Sequence, residues 1–253
     1  MKIKQTTIAE IAEAEAVLLA TAHERYPVYY PHALEASLFL SNCIKSVDVD
    51  REVFARFLSQ VKKHHTLALF STVRLHKIQA NMNLRQVLEA GACAAFAIAN
   101  PQHEHFVDTD DQGILNPSQK LAKKRYNWLA KHYSAGSEVI KGLKDTINQS
   151  TAHANFAYTS NNFELNERAG AFEAPFFDFE DEYFIKTDLW LTGNVALSLL
   201  DTLYGVNQGR DVIKFTDDFK SRLSKLAADG KVLHAEMTAT ERYKKAQAKI
   251  LAR

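Results

Sequence analysis

The chain of 253 residues holds only 2 cysteines, 5 prolines and 9 glycines, and its formal net charge is +1. Each shortage excludes something. Two cysteines, Cys43 and Cys93, are too few for a disulfide scaffold, and both fall in apolar helical pattern. They read as free thiols of a reducing compartment. Scarce glycine and proline disfavour turn-rich β architectures and favour long helices. A net charge near zero gives no global field to recruit nucleic acid or anionic lipid, so any such binding must be local. The longest uncharged runs, 90–102 and 189–200, fall short of the roughly 20 residues that span a bilayer. Near the start, Glu10, Glu13 and Glu15 interrupt anything resembling a secretion signal. These absences predict a cytoplasmic protein with no membrane partner. The phosphate-cradling glycine loop, Gly-x-Gly-x-x-Gly, Gly-x-Ser-x-Gly, His-Glu-x-x-His and Cys-x-x-Cys are all missing, which disfavours P-loop enzymes, dinucleotide enzymes, elbow-type serine hydrolases and zincins.

What is present is a helical grammar. Hydrophobic residues make up 46% of the chain and charged residues 24%, enough to bury a core. Residues 66–99 are apolar on most sides, with Leu67, Leu69, Phe70, Val73, Leu84, Val87 and Leu88, and end in the small-residue run 90–99. One polar line crosses them. Arg74, Asn81, Arg85 and Glu89 stand seven, four and four residues apart, which places them on one face of a single helix. A helix apolar nearly all round belongs inside a bundle, where charges must be paired or used.

Other helices follow from their caps. Thr6 or Thr7 opens a first helix to about His23, which the Pro27–Pro31 region breaks. A second spans about 31–45. Asp50 caps a third that either runs into the long helix or kinks at His64-His65. Asn100-Pro101 stops the long helix. Residues 102–116 read as a polar loop, with Asn116 and Pro117 as cap and first position of a helix to about Tyr133. Another spans 137–150. Residues 151–179 form an aromatic-anchored connection with room for a small β-hairpin near 154–177. A strong helix covers 181–204, another ends near Asp229-Gly230, and Thr238 with Glu241 forms a capping box for the last. The predicted fold is therefore all-α: a helical bundle around a long buried central helix, as domain 1–215, with a C-terminal helical extension over 216–253.

Four groups of residues are candidates for chemistry. Arg85 and Glu89 form either a self-satisfied i,i+4 ion pair or an anion pocket, since a guanidinium held by a carboxylate offers a planar fork of donors. His153, in the polar run 148–155, presents either a catalytic imidazole or a surface histidine beside a helix end. Residues 120–133 place Lys120, Lys124, Asn127 and Lys131 on one face, with Trp128 available to stack, which suits phosphates as well as plain solvent. The acidic run 178–182 is a candidate partner for that basic face and also suits a helix N-terminus. His103 and His105 with Asp108 offer metal ligands, and Asp108-x-Asp110-x-Gln112-Gly113 echoes the start of a calcium loop. A flexible polar loop explains the same residues.

Residues 84–89 on the long helix, its end at Asn100-Pro101, and the later Thr151-Ala152-His153 together resemble a group of uncharacterised bacterial helical proteins similar to the HEPN-like helical modules. The resemblance covers about 30–205. It implies a metal-independent ribonuclease or RNA-binding protein of stress or phage defence. The family pattern of an arginine followed by a histidine on one helix falls on Arg125 and His132, with Tyr126 where a polar residue usually follows the arginine. No cofactor is implied.

The sequence thus supports three readings. The first is a HEPN-like module that binds or cuts RNA through Arg125 and His132, or through Arg85 and Glu89. The second is a non-catalytic interaction module that forms a homo-oligomer. The third is a metal-dependent enzyme using His103, His105 and Asp108.

Overall fold

The structure, a computed structural model, describes residues 7–117, 119–151, 163–166, 171–173 and 175–251. α1 (Ile8–Ala20) opens on a capping box: the Glu10 amide donates to Thr7 Oγ1 at 3.2 Å, and the Thr7 amide donates to the Glu10 carboxylate at 2.7 Å. A short α2 (Ala22–Arg25) leads to the buried Tyr26, and α3 (Tyr29–Asn42) turns Ala33, Ala36, Phe39 and Leu40 inward. After β1 (Ile44–Val47), α4 (Glu52–Val73) starts beyond the 3-10 turn Val49–Arg51. It runs unbroken through His64-His65, because both imidazoles find partners. His65 bonds Ser37 Oγ at 3.1 Å and the Thr192 carbonyl at 2.9 Å, and His64 bonds Asn83 at 2.8 Å.

The single helix expected over 66–99 is two. α4 stops at Val73, and α5 (Lys77–Ala99) folds back along it as a tightly packed hairpin. The turn needs Leu75 in the left-handed region, at φ 62°, although neither glycine nor proline marks it. The expected polar line is broken with it. Arg74 pairs with Glu15 on α1 at 3.2 Å, Asn81 is buried, and Arg85 and Glu89 lie on the far reach of α5. α5 does end at Ala99, with Asn100 as its C-cap.

Residues 102–116 hold a hairpin where a loop was expected: β2 (Val107–Thr109) pairs antiparallel with β3 (Leu115–Pro117), so Asn116 and Pro117 are strand residues and not a helix start. α6 (Gln119–His132) and α7 (Ser134–Thr151) follow. β4 (Glu164–Asn166) and β5 (Ala171–Glu173) form the hairpin expected near 154–177. α8 (Glu182–Asn207) is capped by Asp181, whose carboxylate accepts the Tyr183 and Phe184 amides. β6 (Ile213–Phe215) then pairs with β1, a second strand pair absent from the sequence reading.

α9 (Phe219–Ala239) runs through Gly230, where a stop was expected. Thr240, and not Thr238, caps α10 (Glu241–Leu251), through the Tyr243 amide. α9 is packed on α3 and α8, and it buries Phe219, Leu226, Leu233 and Met237.

The centre of the bundle is α8, which touches α3, α4, α5, α7 and α9. Its Val195, Ala196, Leu199, Leu200 and Leu203 are fully buried in one cluster with Leu84, Val87, Leu88, Ala92, Ala94, Ala95 and Phe96 of α5, and its Leu189 packs in a second cluster with Leu69 and Val73 of α4. Each buried leucine or valine is worth about 1.5–3 kcal/mol against exposure, so this interface contributes substantially to the stability. The class is all-α, with three two-stranded β pairs among the described residues. Among the described residues no helix is long and apolar enough to cross a membrane.

Candidate functional site

Part of the expected polar line survives and gains partners. Arg85, Glu89 and Cys93 follow at i, i+4 and i+8 on α5 and face α6 and α7. Glu89 Oε1 accepts from Arg85 Nε at 3.1 Å and lies 3.3 Å from Lys144 Nζ. Lys144 donates in turn to the Tyr126 hydroxyl at 3.0 Å and sits over that ring. Burial works against the Lys144 charge, but Tyr126 and Glu89 outweigh it and raise its pKa. The Arg85 and Glu89 side chains are 42% and 35% exposed, so this is a half-solvated network and not a charge buried in the core. Such pairs contribute little each.

The same face brings Arg125 to Cys93, which the sequence does not connect. Arg125 donates to the His105 carbonyl at 3.3 Å, and its guanidinium lies over the Phe106 ring at 5.5 Å. Arg125 thereby ties α6 to the turn His103–His105. Burial pushes the Cys93 thiol up, partly offset by Arg125. Two turns along α6 from Lys124, the His132 ring stacks on Trp128 with centroids 4.7 Å apart and planes 25° from parallel. Trp128 is anchored beneath by an edge contact with Phe96 at 5.4 Å, and Arg210 lies 5.9 Å from its centroid. His132 is exposed, as are Lys124 and Lys131.

The three expected metal ligands do not converge. His103 lies 3.7 Å from Glu52, His105 Nδ1 accepts from Lys124 Nζ at 3.3 Å, and Asp108 sits in β2 opposite Asn116. Among the described residues no group of three His, Cys, Asp or Glu side chains is placed to hold a metal ion. The calcium-loop echo has another cause. Asp110 accepts the Gln112 and Ile114 amides at 3.0 and 2.9 Å, which closes the β2–β3 turn and holds its carboxyl below the usual range. His153 lies outside the described residues.

The acidic run near 178–182 pairs elsewhere than with α6. Glu180 takes Arg25 and the Tyr26 hydroxyl, Asp178 takes the Lys77 amide, and Asp181 takes Arg242.

One cleft of mixed chemistry has no counterpart in the sequence motifs. It opens between α8 and α9, is closed at one end by the first turn of α7, and measures about 540 Å³. Trp190, Asn194, Leu197 and Asp201 line it from α8, and Ser224, Ala227, Lys231 and His234 from α9. Their spacings of four, three and four, and of three, four and three, are the available signal: each set is a stripe of mixed chemistry on one helix face.

No family model, no curated protein and no solved structure matches this chain.

Proposed function

We propose that this protein binds single-stranded RNA without cutting it, along the exposed face of α6. The observation that carries the reading is the His132 ring stacked at 4.7 Å on Trp128. A ring held flat at the surface by another ring is a platform on which a base stacks at small entropic cost. Cations surround it. At about 100° per residue, Lys131, Lys124, Trp128 and His132 fall within an arc of roughly 100° on α6. Arg210 comes in from beyond α8. These charges supply the local attraction that the near-neutral chain lacks as a whole.

The binding reading is favoured over cleavage because Arg125 is engaged. Its guanidinium is spent on the His105 carbonyl, the Phe106 face and Cys93, where it orders the base of the platform.

The test is fluorescence anisotropy of a labelled, unstructured RNA oligonucleotide across a salt series. Three phosphate contacts give a slope of log K against log salt of about −2. His132→Ala is expected to weaken binding by about tenfold, the value of one lost stacking contact. Salt-independent binding, no binding, or an unchanged His132→Ala affinity sinks the reading. Cleavage of the oligonucleotide that Arg125→Ala abolishes would restore a catalytic role to Arg125.

A further inference from the structure

The cleft between α8 and α9 has opposite charges at its two ends. At one end stands Asp201, whose Oδ2 accepts from the Tyr133 hydroxyl at 3.1 Å and whose other oxygen has no protein partner among the described residues. At the other end stand Lys231 and His234, beside Trp190. The Trp190 indole N–H donates to the Gly230 carbonyl at 2.8 Å, and its ring lies 4.7 Å from that of His234, so the end wall is fixed. Lys231 has no carboxylate within ion-pairing distance among the described residues. The two helices run antiparallel here, since Trp190 meets Gly230 while Tyr204 meets Phe219. From Trp190 to Asp201 is eleven residues of α8, about 16 Å at 1.5 Å per residue.

Between the ends the lining alternates. Val139, Leu197, Leu223 and Ala227 present apolar surface, and Asn194, Ser198 and Ser224 present side-chain donors and acceptors with no side-chain partner among the described residues. His32 adds a buried polar atom at the Lys231 end. The residue is 8% exposed and its Nε2 has no hydrogen-bond partner among the described residues. Gly193 and Gly230 make room for it, because a Cβ at either would stand 3.2 or 3.3 Å from Nε2.

We propose that this cleft is a binding site for a short extended peptide with free termini, its ammonium at Asp201 and its terminal carboxylate at Lys231 and His234. The backbone rise of about 16 Å from the Trp190 end of the cleft to Asp201 matches a peptide of four or five residues at about 3.3 Å each. The unpartnered amide and hydroxyls between them suit peptide groups, which demand a donor and an acceptor per residue. The apolar patches take alternate side chains. A single amino acid is too short to reach both charges, and a diamine or a dicarboxylate satisfies one end and is repelled at the other. This site is separate from the α6 face, and it stands or falls independently of RNA binding.

The experiment is calorimetric titration of the full chain with tetra- and pentapeptides carrying apolar side chains, as free, N-acetylated, C-amidated and doubly blocked forms. Blocking either end is expected to weaken binding about two- to fivefold, the value of one solvated ion pair. In Asp201→Asn the N-acetylation penalty is expected to vanish while the amidation penalty remains. In Lys231→Met the reverse is expected. Both side chains are exposed, so both variants should keep the wild-type circular dichroism, and that spectrum is recorded alongside. Equal affinity for free and doubly blocked peptides, tighter binding of a diamine or dicarboxylate, or no binding at either length overturns the proposal.

Discussion

Asp178 caps α5 from 101 residues away: its Oδ2 accepts the Lys77 amide at 2.7 Å, and its own amide donates to the Leu75 carbonyl at 2.9 Å. The residue at the formal N-cap position, His76, makes no such side-chain bond. The left-handed Leu75 is thus held from outside by a strand of chain that crosses the α4–α5 turn. Asp178→Ala is expected to cost about 1 kcal/mol, the value of a lost cap, or somewhat more because the turn loses its brace. Urea denaturation with an unchanged m-value checks it. A change below a few tenths of a kcal/mol would mean that Leu75 is held by packing alone.

Two buried groups give this protein opposing pH dependences. Burial raises the Asp188 carboxyl to about 6, against which the neighbouring Lys77 acts. Between about pH 4 and 6 the folded state keeps that proton and the unfolded state does not, so stability falls as pH rises, by roughly 3 kcal/mol in all. Burial pushes the His65 imidazole down to about 4. Between about pH 4 and 6.5 the unfolded state binds the proton and the folded state does not, so stability rises with pH by a similar amount. His32, also lowered by burial, acts in the His65 sense. Wild-type stability should therefore rise only shallowly across this window, because Asp188 offsets part of the histidine effect. Asp188→Asn should expose a rise toward pH 6.5 and His65→Gln a fall. Parallel wild-type and Asp188→Asn curves would rule out the buried carboxyl as the opposing group.

The Tyr133 ring is clamped between two helices by glycines. A Cβ at Gly205 would stand 2.5 Å from the ring carbons, and one at Gly136 would stand 2.4 Å away. A rigid ring cannot yield as a leucine tip can, so Gly205→Ala should cost about 1–3 kcal/mol by overpacking. It should also break the Tyr133–Asp201 hydrogen bond at the cleft's acidic end. Combined with Tyr133→Ala, the two losses should be strongly non-additive in thermal melts. Simple additivity would mean that the ring has room to move.

Neither cysteine should react quickly with a thiol reagent in the native protein. Cys43 is buried at the end of α3, and burial pushes its thiol up to about 11. Cys93 is half-buried and likewise raised. A thiolate is the reactive form, so both stay inert until denaturant exposes them. Rapid labelling of one equivalent at neutral pH would place Cys93 in a more open environment than the α5–α6 face provides.

Helix starts were legible where a side chain signs them. Thr7 with Glu10, and Asp181 before α8, carry their own hydrogen-bond partners within a few residues. The α4–α5 break was not legible, because Asp178, which bonds to both sides of it, is distant in sequence, and because Arg74-Leu75-His76 contains no turn residue. Gly230 misled for the opposite reason. It resembles a stop, but its missing side chain leaves room for His32, so the helix continues through it. The strands are three or four residues long, too short for alternation to register. Arg85 and Glu89 did find each other as the i,i+4 spacing demands. Lys144, Tyr126, Arg125 and Cys93 joined that face only through the packing of α5, α6 and α7, which no local pattern encodes. The cleft is two helix stripes that acquire meaning only when the helices are set side by side.

The pairing of β1 with β6 also sets a schedule for biosynthesis. Ile213 joins Val47, and Phe215 joins Ile44, across about 170 residues, so at roughly 5–20 residues per second the first strand leaves the ribosome some 10–30 s before its partner. During that interval Ile44–Val47 is an open edge beside an incomplete core, the kind of surface that invites chaperones or another nascent copy. The edge is closed only once residues 213–215 have been made and can return to it. Phe219, which packs on Phe39, follows that strand within four residues, so the cleft wall carried by α9 can form only after that strand pair has its second member.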